Sequence, residues 1–144
     1  MTPEPDARDR AVHDTLVAAL RPFGQVAEVR LEWSEPARTW FTVVTPHAAG
    51  AAPLTVGVED DDLLLVTVGS TTGEIAGPTD RLEWLTPLAA AVFAGRSREA
   101  GRSGQHARIE HEDGSRETIS RGPGWPGMWL AATRHAPYGP RATD

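Results

Sequence analysis

The chain has 144 residues, 40% of them hydrophobic, and a formal net charge of −6 from 14 basic and 20 acidic side chains. That size fits one compact core rather than two, and the acidic balance leaves no basic field to release counterions from nucleic acid or an anionic membrane, so both are poor partners. All 14 cations are arginine, and lysine and cysteine are absent, which excludes a P-loop lysine, a Schiff base, a thiolate nucleophile, iron–sulfur clusters, cysteine-ligated zinc and disulfides.

No apolar run reaches the roughly 18 residues that cross a bilayer. Met1 to Arg10 is charged and proline-bearing, without the apolar stretch of a signal peptide, so a cytoplasmic protein is expected. Arginine-only usage, with isoleucine scarce beside valine, leucine and alanine, matches codon bias in a high-G+C bacterial genome.

From Asp6 to Arg21, Val12, Leu16, Ala19 and Leu20 recur at helical spacing, and Pro22 and Gly24 stop the pattern. Gln25 to Trp33 alternates, with Ala27, Val29, Leu31 and Trp33 on one face and Glu28, Arg30 and Glu32 on the other, as a half-exposed strand does. A turn-like Ser34 to Arg38 leads to Thr39–Thr45, rich in β-branched and aromatic residues. Leu54 to Val58 and Leu63 to Val68 form a hairpin around the acids Glu59, Asp60, Asp61 and Asp62; the second run is nearly all apolar, which predicts a central strand buried on both faces.

Gly69 to Pro78 reads as a glycine-rich connector. A second helix follows, with Leu82, Leu85, Ala89, Val92 and Phe93 as its apolar stripe and Gly95 at its end. Pro87 interrupts this helix, so a restart with Thr86 as cap and Pro87 as first helical residue is expected. His106–Glu112 and Ser115–Arg121 flank Asp113-Gly114, a strong hairpin signal. The predicted fold is α+β: a four-stranded antiparallel meander plus a C-terminal hairpin, packed by an N-terminal and a central helix. Residues 1–121 form one domain, and 122–144 an irregular tail rich in glycine, proline and tryptophan.

Candidate chemistry is sparse. An EF-hand on Glu59 to Asp62 would need an oxygen ligand near Leu64 and a glycine near Leu65, where both residues are apolar. The acids therefore read as a solvated turn, or as a surface that meets a basic protein. His106 and His111, five apart in a strand, point to opposite faces and cannot share a metal. Gly69, Gly73 and Gly77 lack both a following lysine and phosphate-loop spacing, and no Gly-x-Ser-x-Gly elbow is present. Trp33, Trp40 and Trp84 lie in predicted elements and read as core or core rim. Trp125 and Trp129 sit in Gly-Pro-Gly-Trp-Pro-Gly-Met-Trp, where they either clamp the tail or anchor a partner.

The order helix, antiparallel strands, helix is similar to small bacterial α+β accessory proteins such as the immunity proteins of toxin systems and secretion-chaperone-like modules. The likeness is architectural and rests on no motif. It implies a non-catalytic protein-binding module without a cofactor or metal. Its partner would be a protein or a second copy, met through sheet surface, the acidic tip Glu59–Asp62, or Trp125 and Trp129. The opposing expectation is a small hydrolase or ligand-binding domain in which the fold brings histidines and carboxylates together.

Overall fold

The computed structural model describes residues 2–101, 105–120 and 127–139. Helix α1, Ala7–Leu20, starts at a reciprocal capping box: the Asp6 carboxylate accepts the Asp9 N–H and the Asp9 carboxylate accepts the Asp6 N–H, each at 2.9 Å. Val12, Leu16, Ala19 and Leu20 are its buried stripe, the positions chosen by the 3.6-residue period. A single 3₁₀ turn, Arg21–Phe23, and Gly24 at φ 82° end it.

Five strands follow as an antiparallel meander in sequence order: β1 Ala27–Ser34, β2 Thr39–Pro46, β3 Leu54–Asp60, β4 Leu63–Val68 and β5 Thr71–Ala76. Register aligns Val29, Val44, Leu54 and Val68 in one cross-strand row and Leu31, Thr42, Val56 and Val66 in the next. Side chains in direct register share a face, and this face meets the helices: Val44, Leu54, Val56, Val66 and Val68 are fully buried in the same core as Leu16 and Val92.

Two expectations are corrected. β4 is not buried on both faces; Leu63, Leu65 and Thr67 are half-buried while Leu64, Val66 and Val68 are buried. Both helices contribute to the core on one side of the sheet, so the other side, with Phe41, Val43 and Leu65, stays partly open. The segment 69–78 is not a connector, because residues 71–76 form a fifth strand. Gly73 serves close packing there: a Cβ on it would lie 2.2 Å from Ile119 Cγ2 of the neighbouring sheet.

Helix α2, Leu85–Phe93, has Pro87 as its third residue, where a missing N–H costs no intrahelical bond. It starts two residues before the expected restart. Ahead of the helix, the Thr79 hydroxyl donates to the Asp61 carbonyl at 2.8 Å. Gly95, at φ 78°, terminates α2 with its N–H on the Val92 carbonyl.

A second antiparallel sheet comprises β6 Ser97–Ala100, β7 His106–Glu110, β8 Arg116–Ser120 and β9 Thr133–Arg134, in the order β8-β7-β6-β9. The Asp113-Gly114 turn joins β7 to β8 as expected, with Gly114 at φ 88°. Within the segment expected to be irregular, β9 pairs with β6, and Tyr138 is buried with its ring 4.8 Å from that of Phe93 and its hydroxyl donating to the Ala52 carbonyl. Among the described residues no helix is long and apolar enough to cross a membrane.

Candidate functional site: an arginine row on the second sheet

The second sheet has two chemically opposite faces because its strands alternate. Ser97, Ala107, Ile109 and Ile119 are buried, turned toward α2 and β5. On the other face, Arg98 lies directly opposite Arg108 on one side and Arg134 on the other, so three guanidinium-bearing residues form one uninterrupted cross-strand row. The next row differs: Glu110 is opposite Arg116, and its N–H donates to the Arg96 carbonyl at 2.9 Å, so charge alternates there.

Like charges directly opposite each other destabilise a sheet. Among the described residues no carboxylate lies within ion-pair distance of Arg98, Arg108 or Arg134. Partial desolvation, with the charges of Arg116 and Arg98, lowers the Arg108 guanidinium from its ordinary value. What the row does have is an aromatic neighbour. The 3₁₀ turn Met128–Ala131, entered through Gly127 at φ 84°, sets the Trp129 ring 4.2 Å from the Arg108 guanidinium carbon and 6.0 Å from that of Arg98. Beside it Leu130 is 93% exposed, the one large hydrophobic residue so exposed among those described. Arg96, Arg98, Arg108, Glu110, His111 and Arg134 border an open cavity of about 360 Å³.

A polar network behind the row fixes its outermost strand. The Glu99 carboxylate accepts from the Ser70 N–H and hydroxyl, the Thr71 hydroxyl, and His135 Nε2 at 2.8 Å. His135 Nδ1 lies 2.7 Å from the Ser97 hydroxyl, and the His135 N–H donates to the Ser97 carbonyl. A carboxylate only accepts, so Nε2 carries a proton and, in the neutral ring, Nδ1 accepts from Ser97. Burial alone would raise the Glu99 carboxyl, but bonds from Ser70, Thr71 and His135 outweigh it and hold it below its ordinary value. Gly69, at φ 65°, makes room, since a Cβ there would lie 1.8 Å from Glu99 Oε1. Hydroxyl, imidazole and carboxylate are the groups of a hydrolytic triad. Ser97 borders the cavity but is only 3% exposed, so a substrate carbonyl cannot approach its oxygen; the network staples β9, and with it Arg134, to the two sheets.

The residues expected from sequence fall in different places. Glu59 and Asp60 end β3 and Asp61 and Asp62 turn the chain. The Asp61 carboxylate is 94% exposed yet 2.7 Å from Arg8 Nη1, the Asp60 carboxylate accepts the Asp62 N–H, and the carbonyls of Asp61 and Asp62 accept from Thr79 and Gly77. The tip is thus tied into the α1 and β5 ends of the domain. Trp129 joins the arginine row; Trp125 lies outside the described residues. His106 is buried with Nδ1 3.1 Å from the Ser120 hydroxyl, and His111 lies 3.4 Å from Glu117, so the two histidines do not meet. Sequence analysis missed Arg98, Arg108 and Arg134. A signal existed in the alternation Arg96-Ser97-Arg98-Glu99, but no local pattern shows which strands flank it.

Comparison with family models, with curated proteins and with solved structures finds no match to this chain, so its function has to be argued from the chemistry of the arginine row itself.

Proposed function

We propose that this protein is a non-catalytic binding module that holds an acidic segment of a protein partner on the Arg98–Arg108–Arg134 face. One observation carries this: three arginines in direct cross-strand register with no carboxylate of the described residues within ion-pair distance, in a chain of net charge −6. A bound carboxylate would relieve their repulsion and form bidentate, charge-assisted hydrogen bonds. Trp129 and Leu130 supply an apolar anchor next to the charge, the pairing found at protein interface hot spots. The partly open outer face of the first sheet, with Phe41, Val43 and Leu65, supports a protein partner as well. A polyanion is disfavoured, because Glu110 and Glu112, on β7 and the turn after it, border the same cavity as the row.

Titration with a synthetic peptide of alternating glutamate and leucine, followed by tryptophan fluorescence, tests the proposal. Saturable binding that falls at least 10-fold in Arg98→Gln/Arg108→Gln and weakens with salt is expected. Equal binding by the double variant overturns it, as does tighter binding of a single-stranded oligonucleotide than of the peptide.

A further inference from the structure

Trp33 and Trp40 face each other as the penultimate pair of the β1–β2 hairpin, their rings 5.8 Å apart and tilted by 58°. They lie on the helix-facing side of the first sheet, in line with Leu31 and Thr42. Yet α1 begins only at Ala7, and the segment before it passes these rings instead. The Trp40 indole N–H donates to the Pro3 carbonyl at 2.9 Å. Pro5 is half-buried. Trp33 donates to the Glu35 carboxylate at 2.6 Å, and the Arg38 guanidinium lies 6.0 Å from its ring. Pro3, Glu4, Trp33, Trp40, Arg38 and Val58 border a cavity of about 230 Å³, so the segment does not fill the space.

The sequence of that segment, Thr2-Pro3-Glu4-Pro5, is biased toward one shape. Each proline fixes its own φ, and each restricts the residue before it to extended or polyproline II backbone. An extended proline segment has no internal hydrogen bonds, so its carbonyls are free for an outside donor. An aromatic pair with an indole N–H reads this combination of flat ring, fixed backbone and free carbonyl. Arg8 and Arg38 at the rim are already paired, with Asp61 at 2.7 Å and Glu35 at 3.6 Å, so the proline backbone rather than a charge is what the aromatic pair reads.

We infer that the Trp33–Trp40 pair is a second binding site, independent of the arginine face, for extended segments containing proline, and that residues 2–5 occupy it as a built-in competitor. A tethered segment this short acts at an effective concentration in the millimolar range, so an external peptide binds the intact chain weakly and binds it better once the internal segment is loosened.

The probe is a Thr-Pro-Glu-Pro-Asp peptide added to the full chain and to Pro3→Gly/Pro5→Gly, which leaves the Asp6 cap in place. Indole N–H signals of Trp33 and Trp40, assigned with Trp33→Phe and Trp40→Phe, are followed by NMR. The peptide should shift both signals, with at least 10-fold tighter apparent binding to the proline variant, and Trp40→Phe in that background should lose most of the affinity. Unshifted indole signals overturn the inference. So do equal affinity for the intact chain and the loosened variant, and equal binding of a Thr-Ala-Glu-Ala-Asp control.

Discussion

Replacing Arg98 by glutamine should stabilise the isolated protein while weakening it as a binder. Arg98 is the middle member of the row, directly opposite both Arg108 and Arg134. Each like-charge cross-strand pair costs about 0.2–1 kcal/mol, so the two repulsions total roughly 0.4–2 kcal/mol. The loss on the other side is small, because the Trp129 ring is 6.0 Å from Arg98, at the limit of a useful cation–π contact, and 4.2 Å from Arg108. Glutamine also keeps much of the aliphatic stem that covers the sheet. A net gain of about 0.5–1 kcal/mol follows, or a rise of about 1–4 °C in Tm for a chain of this length. Thermal unfolding at low ionic strength is the assay. The gain should shrink toward 1 M salt, where the Debye length is about 3 Å. A lower Tm for Arg98→Gln at low salt, with acidic-peptide binding unchanged, would refute the view that the row is a charge cluster held ready for a ligand.

Val66→Asp should leave the protein unfolded at room temperature: Val66 is fully buried on the helix-facing side of β4, and an unpaired buried carboxylate costs several kcal/mol out of a typical total of about 5–15. Circular dichroism of the variant checks this, and a cooperative melt near that of the parent would show the strand to be placed wrongly. Glu99 gives a pH dependence of defined sign. Its folded value is depressed, so its contribution is complete above the unfolded value of about 4.3 and is lost as pH falls through the folded value. Glu99→Gln should therefore cost about 1–3 kcal/mol at pH 7, with the gap to the parent narrowing below pH about 4. Urea midpoints at pH 7 and pH 3 decide the matter, and a gap that widens in acid would contradict the assigned direction.

How far the sequence reveals this fold depends on whether a residue answers to its own element or to a distant one. The α1 stripe is a local matter: 3.6-residue spacing selects Val12, Leu16, Ala19 and Leu20, and the core confirms each. The Asp113-Gly114 turn is local too, and it fixes Glu110 opposite Arg116. Gly73 is different. In a window of ten residues it marks a loop; in the folded chain its missing side chain is the space into which Ile119 packs, a requirement set 46 positions away that no local pattern carries.

The same division runs through the candidate sites. Trp33 and Trp40 are brought together by one hairpin, and their pairing follows from a short loop and strand register. The arginine row needs β9 beside β6, and β9 has only two residues, too few to give a period. What places β9 is His135, held between Ser97 and Glu99 in a network that also reaches Ser70 and Thr71 in the first sheet. Loosening this buried staple would free Arg134 from the row without touching the arginine face itself. The residues that define the exposed surface are thus legible as exposed and charged, while the residues that assemble them into a site are buried, polar and scattered along the sequence.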